Sequence, residues 1–327
     1  MNVFTLSHAA TANDRQVRMS GMRHVPVMVD EVVQYLLHDN SRLVVDGTVG
    51  FGGHAEAILG ARPGLALIGV DRDPVAIAAA RERLSPFGDR VRLVQGLYSD
   101  LDAVFAGSLR ADGVLLDLGI SSVQIDERER GFSYAHNGPL DMRMGDAGET
   151  AAGLIARADF DTLAGWLREL GEVRQSRRVA RAIVRARDQG AMATTADLRT
   201  AVEGAIGRAA PAELSRIFQA LRIVVNDELG SLRRFLDGVL DRLNPGGRLV
   251  VISYHSLEDR MVKHFLRDAS ATCVCPPEVP VCVCGRTPGV RMLTRRALGP
   301  RDQEIARNPR SRSAHLRAAE KVGSDAT

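Results

Sequence analysis

Three carboxylates each close an apolar run in this chain: Asp46 after Leu43-Val44-Val45, Asp71 after Leu65-Ala66-Leu67-Ile68-Gly69-Val70, and Asp117 after Gly113-Val114-Leu115-Leu116. Between the first two lies DGTVGFGGH (46–54), where Gly47, Gly50, Gly52 and Gly53 lead to His54 and the helix-like Ala55-Glu56-Ala57-Ile58-Leu59. Glycine lets a backbone turn through positive φ and approach a ligand closely, and a helix N-terminus presents free N–H groups. A P-loop needs Lys-Ser or Lys-Thr after its last glycine, but here His54-Ala55 follows. A dinucleotide fingerprint reads G-x-G-x-x-G, whereas this loop reads G-x-x-G-x-G-G with Asp46 directly before it. A carboxylate there is awkward for a pyrophosphate and well suited to a cation. S-adenosylmethionine carries a sulfonium and an ammonium group and no phosphate, so the pattern fits it; the alternative is a structural strand-to-helix turn.

Asp71 follows the loop by roughly 20–25 residues, where such folds hold a ribose diol. Asp73 precedes Pro74 and the Ala-rich run Val75 to Leu84, which suits a helix N-cap with proline at the first helical position and a structural role. Tyr98 lies just past the strand-like Val91–Gln95, placed either to stack on adenine or to fill the core. A late strand, Arg248 to Ser253, follows the turn Asn244-Pro245-Gly246-Gly247 and leads into Tyr254-His255-Ser256. His255 or Ser256 caps the following helix, or His255 reaches a substrate. Asn226 is placed to bond a base edge or to serve structure.

Apolar strands alternating with helical stretches predict a doubly wound, mostly parallel α/β sheet, which puts Asp46, Asp71, Asp117 and His255 on one rim. The sheet pattern stops after Gln124 and resumes near Gly247, so the intervening Ala- and Arg-rich stretch reads as a helical insertion. The expected organisation is a flexible N-terminal extension over 1–22, an α/β domain formed by 23–124 and 217–327, and an inserted helical domain over 125–216. On a helical wheel Arg174, Arg178, Arg181 and Arg185 share one sector while Val179, Ala180, Ile183 and Val184 gather opposite. Such a stripe either contacts RNA phosphates or is a solvated charged face.

A net charge of +3 over 327 residues is too mild to name a nucleic-acid partner, and no apolar stretch approaches a membrane span. The chain is read as cytoplasmic, without a signal peptide. All four cysteines, Cys273, Cys275, Cys282 and Cys284, cluster among prolines. Four thiolates can close a tetrahedral zinc site, but zinc knuckles use C-x-x-C and these pairs are C-x-C. Reduced thiols in a proline-rich loop are the default reading, with no metal assigned.

Seven motifs then occur in the order of one family: DGTVGFGGH, GVDRDP (69–74), LLDLGISSVQ (115–124), ERGFSYAHNGPLDMRM (129–144), RIVVNDEL (222–229), SYHSLEDR (253–260) and NPRSRSAHLRAAE (308–320). From about His24 to Glu320 the chain resembles the bacterial 16S rRNA cytosine-N(4) methyltransferases of the MraW type. The resemblance implies a Rossmann-like methyltransferase sheet interrupted by a helical domain that helps to bind RNA. It also implies transfer of a methyl group from S-adenosylmethionine to the exocyclic N(4) amine of a decoding-region cytidine, number 1402 in standard rRNA numbering, in 16S rRNA or the small subunit. Carried over by motif, the cofactor residues are Gly52, Gly53, His54, Asp71, Tyr98, Asp117 and Gln124, with Asp117 and His255 as the catalytic candidates. This chain departs from the family pattern at Tyr98, where Phe is common, at Val123, where Pro is frequent, and at Tyr254, which replaces a common Phe in an exchange that reads as harmless. It also lacks the D-P-P-Y signature of other amino-methyltransferases.

Overall fold

The computed structural model describes residues 26–323 apart from 108, 208–210, 277 and 279–280; the extension expected over 1–22 lies outside the described residues. Seven strands, β1 (Leu43–Asp46), β2 (Ala66–Asp71), β3 (Val91–Gln95), β4 (Ala111–Asp117), β5 (Leu243–Ser253), β6 (Val290–Met292) and β7 (His315–Lys321), form one sheet in the order β3-β2-β1-β4-β5-β7-β6. The first five are parallel, and β7 runs antiparallel to both β5 and β6. This is the expected Rossmann-like α/β fold.

The apolar runs form strands because both sheet faces are covered. Parallel strands buried on two sides read as continuous hydrophobic runs. Val44, Leu67, Leu115, Val250 and Ile252 pack on one face with the helices Val29–Leu36, Gly53–Ala61 and Pro74–Leu84. Their neighbours Val45, Ile68, Val114, Leu116, Leu249 and Val251 point the other way, against Glu228–Val239 and Ser256–Ala269. That inversion at successive residues is the strand period of two.

Strand β7 was not expected from the sequence, since Arg317 and Glu320 interrupt its apolar character. Both charges are paired: Arg317 forks onto Asp259 at 2.7 and 3.0 Å, and Glu320 accepts from Arg248 and Arg291. The Asn-Pro-Gly-Gly turn also lies within β5. Pairing jumps there from Ala111↔Leu243 to Gly113↔Arg248, and Gly246 takes φ 77° to absorb the bulge.

Between β4 and β5 the chain leaves the sheet and builds a core of its own from Phe132, Leu163, Val179, Ile183, Leu198, Phe218 and Leu221, among others. Five helices enclose it: Ala151–Arg157, Phe160–Glu169, Ser176–Asp188, Thr195–Ile206 and Pro211–Asn226. The last turns into Glu228–Val239 through Asp227, whose φ of 48° lies in the left-handed region. Strand β1 pairs with β2 on one side and β4 on the other, so the strand order reverses at β1. The crevice beyond the carboxyl ends at such a switch point is where open α/β sheets take ligands.

Candidate active site

The glycine-rich loop laces three strand ends together. Gly47 N donates to Leu115 O at 2.9 Å, Val49 N to Val70 O at 2.8 Å, and Gly50 N to Asp71 Oδ2 at 2.9 Å. Thr48 N–H is held by Asp46 Oδ1 at 3.1 Å, while Thr48 Oγ1 accepts from Asp117 N at 2.7 Å. A methyl group on Gly47 would stand 2.5 Å from Leu116 Cδ2 and 3.0 Å from Tyr98 Cβ, so this close approach requires glycine.

One cleft at the switch point is lined by Gly53, His54, Asp71, Tyr98, Asp117 and Gln124, joining six of the positions singled out in the sequence. Gly52 and His255 are not on its wall. Gly52 sits at φ 79° as N-cap of the helix Gly53–Ala61, with Leu84 and Ala80 behind it. His255 caps the helix Ser256–Ala269, its Nδ1 accepting from Glu258 N at 3.4 Å, which is the capping alternative open in the sequence.

Burial dominates the electrostatics of the rim. It pushes the Asp46 carboxyl up to about 7, against the pull of His54 and the Thr48 N–H. Asp46 Oδ2 is buried with no hydrogen-bond partner. Burial likewise carries Asp71 up to about 6, opposed by N–H bonds from Asp73 and Gly50 that occupy both of its oxygens. A carboxylate offers about four lone-pair sites, so Asp71 can still accept from a diol. Asp117 is also raised by burial and drawn back by His54 and by a 2.8 Å hydrogen bond from Tyr254 Oη to its Oδ1. His54 Nε2 lies 2.8 Å from the Val27 carbonyl, which can only accept, so that nitrogen carries a proton and Nδ1 faces Asp117 Oδ2 at 3.6 Å.

Four further residues of the cleft were not singled out as site residues: Arg72, Glu228, Tyr254 and Glu258. Glu258 stands three residues after its N-cap His255, a capping-box spacing that offered a usable signal. Its Oε2 accepts from Tyr254 N at 3.1 Å and its Oε1 lies 3.2 Å from His255 Nε2. Burial raises the Glu258 carboxyl, but His255 and Arg222 outweigh it and hold the group below the ordinary range. Arg222 forks onto Glu228 through two 2.8 Å bonds.

The amides have work within the chain. Gln124 forms a capping box with Ser121, and its Nε2 donates to Asp73 Oδ2 at 3.0 Å. Asp73 caps Pro74–Leu84 through Val75 N, as read from the sequence, and also binds Arg130. Asn226 accepts from Met144 N at 2.8 Å and donates to Met142 O at 2.7 Å and Arg222 O at 2.9 Å. All of its amide groups are thus engaged, which is the structural alternative for this residue.

The cleft wall carries Asp71, Asp117, Glu228 and Glu258 against one permanent cation, Arg72, among the described residues. An acidic donor set with an unpaired buried carboxylate oxygen behind it suits a sulfonium or ammonium group and repels a polyphosphate. Tyr98, held edge-on to Phe235 with centroids 5.5 Å apart, adds an aromatic wall.

Residues 21–322 match the MraW methylase family. The chain belongs to that family. A relative from Pelobacter propionicus, named Ribosomal RNA small subunit methyltransferase H, is 50% identical over 315 residues, covering 93% of this chain and 100% of the relative. One of the same name from Geobacter sulfurreducens is 50% identical over 307 residues, covering 91% and 99%. Among solved structures, an rRNA methylase from Streptococcus thermophilus is 13% identical with a TM-score of 0.40, over 90% of this chain and 94% of that one. This MraW-family chain is a methyltransferase, and its cofactor is S-adenosylmethionine.

The basic stripe lies on the inserted helices. Arg178, Arg181 and Arg185 are exposed on Ser176–Asp188, while Val179, Ala180 and Ile183 are buried on its other side. Arg174 is exposed too, but it precedes the N-cap Gln175 and therefore stands off the helix on which the wheel placed it. Among the described residues none of these four arginines is ion-paired, whereas Arg177 pairs with Asp161 and Arg187 with Asp188. No helix among the described residues is long and apolar enough to cross a membrane.

Proposed function

We propose that this MraW-family chain methylates the exocyclic N(4) amine of a cytidine in 16S rRNA, the decoding-region residue numbered 1402. The observation that carries the reading is Asp117. It is a half-buried carboxylate at the carboxyl end of β4, on the wall of an acidic cleft, in a chain half identical to enzymes named for small-subunit rRNA.

Bound S-adenosylmethionine supplies an electrophilic methyl group. The difficulty lies with the nucleophile, because the cytosine amine lone pair is delocalised into the ring. Asp117 accepts a hydrogen bond from that amine, aims its remaining lone pair, and stabilises the positive charge that develops on nitrogen. One amine proton must leave after transfer. In this reading Asp117 Oδ2 receives it, supported by His54 Nδ1 at 3.6 Å from that oxygen. Asp71 takes the ribose diol, Tyr98 the adenine, and the Gly53–His54 turn the amino-acid portion. Gln124 holds the wall through Asp73. His255 acts through Glu258, as a positioning residue for the acidic wall.

The base must leave its stack to reach the cleft. We assign the inserted helical segment, expected over 125–216 but with a core that runs on through Leu221, to RNA recognition, with Arg174, Arg178, Arg181 and Arg185 on flanking phosphates. The test is mass spectrometry of small-subunit rRNA from cells with and without this gene, paired with labelled methyl transfer by the purified chain. Loss of one methyl from a cytidine amine supports the proposal. Label appearing in protein, or in no small-subunit RNA or particle, refutes it.

A further inference from the structure

The loop 271–289, between the helix Ser256–Ala269 and β6, has no buried residue among those described, and its Val274, Val281 and Val283 are exposed. No apolar core holds it. Its base is closed by Gly289 N donating to Ala269 O at 2.8 Å. Beyond that base the four cysteines converge. Cys282 Sγ lies 3.5 Å from Cys284 Sγ and 3.9 Å from Cys275 Sγ, Cys284 Sγ lies 4.0 Å from Cys273 Sγ, and all four sulfurs fall within 4.8 Å of one another.

These separations discriminate between the chemistries open to four thiols. A disulfide brings its sulfurs to about 2.05 Å, and none of these pairs is bonded. Four sulfurs arranged tetrahedrally about 2.3 Å from one ion stand about 3.8 Å apart, close to the 3.5, 3.9 and 4.0 Å of the three pairs above. Two backbone N–H groups also point at sulfur, Cys275 N at Cys273 Sγ (3.3 Å) and Val283 N at Cys275 Sγ (3.5 Å). Such donors stabilise thiolate charge.

We propose that Cys273, Cys275, Cys282 and Cys284 bind one zinc ion as a closed structural site. The four Cys–H protons are lost to solvent as the Zn–S bonds form, and no oxidant is required. The metal takes the place of the missing core: closed four-thiolate sites are structural, and binding energy becomes folding energy for the segment that holds them. The reading of these cysteines as free thiols rested on C-x-C spacing. A tetrahedral site depends on where the sulfurs meet, and two C-x-C arms crossing in space meet that requirement.

The test uses the full chain, purified without a metal-binding tag under reducing conditions from zinc-supplemented cells. Elemental analysis should give about one zinc per chain, and cobalt(II) in its place should give thiolate-to-metal charge-transfer absorption. The double variant Cys273→Ser/Cys284→Ser should lose at least about nine-tenths of the metal. It should still bind S-adenosylmethionine by calorimetry, which shows that the α/β domain has folded. Wild-type chain with four titratable thiols and neither zinc nor a cobalt band overturns the proposal. So do two native disulfides, or a zinc content unchanged in the double variant.

Discussion

Tyr254 Oη donates a 2.8 Å hydrogen bond to Asp117 Oδ1, joining the residue that follows β5 to the last residue of β4. The ring lies over Gly119, whose Cβ position would be 3.5 Å from Tyr254 Cδ2. A tyrosine that looked like a harmless exchange for phenylalanine therefore touches the carboxylate proposed to orient the cytidine amine. The bond favours ionised Asp117, which burial otherwise opposes. Tyr254→Phe should fold, since it removes one oxygen from a packed ring. It should raise the Asp117 pKa further and move the acid limb of the kcat–pH profile upward. Turnover should then fall on the acid side of the profile and approach that of the wild type as pH rises beyond that limb. A profile superimposable on the wild type would show that the hydroxyl does not tune the site.

Two separable roles are proposed for Asp117, and Asp117→Asn divides them. The amide keeps the shape and can still accept one hydrogen bond, but it cannot take a proton. If Asp117 orients and deprotonates the cytidine amine, kcat at saturating S-adenosylmethionine should fall by about 10²–10⁴-fold. Cofactor affinity measured by calorimetry should change far less. Poor cofactor binding with intact saturating turnover would confine Asp117 to the cofactor.

Asp46 should be a source of instability above neutral pH. Burial raises its carboxyl from 3.8 to about 7 in the folded chain. Between those values the folded state binds more protons than the unfolded one, so its contribution is fully present below about pH 4 and is lost as pH rises through about 7. At pH 8 the folded chain then carries a buried ionised oxygen without a partner, at a cost on the order of a few kcal/mol. Asp46→Asn removes that charge and keeps an acceptor for Thr48 N. In urea unfolding of the cofactor-free chain the variant should be more stable than wild type at pH 8, with the difference narrowing at pH 5 and closing only below about pH 4. An equal difference at both pH values would place the effect elsewhere.

The rim of the sheet was legible because buried parallel strands are long apolar runs and three of them, β1, β2 and β4, end in a carboxylate. Asp46, Asp71 and Asp117 could be aligned from that pattern alone. Strand β7 was hidden because its charges become tolerable only through partners distant in the chain, such as Asp259 for Arg317. Tyr254 was hidden for a related reason: its role depends on which group stands opposite, and periodicity carries no such information, whereas Glu258 was signalled only by its spacing from the cap His255. Arg174 was misplaced by the least legible feature of a helix, its first residue. The cysteines show the same limit, since C-x-C reports distance along the chain and the sulfurs meet across a loop.

The arginine stripe carries the last prediction. Arg178 and Arg185 are exposed, lack acidic partners among the described residues, and stand on a helix whose opposite side is buried. Arg178→Ala/Arg185→Ala should therefore leave the fold and S-adenosylmethionine affinity unchanged. If both arginines neutralise phosphates, RNA binding should weaken at every salt concentration tested, most at low salt. The slope of log K against log salt should flatten by about 0.7–0.9 for each phosphate left without its arginine. Surface charges that merely solvate the helix would leave that slope where it was. A changed slope with normal turnover on a free nucleoside-scale substrate would then place these arginines in RNA capture and Asp117 in the chemistry.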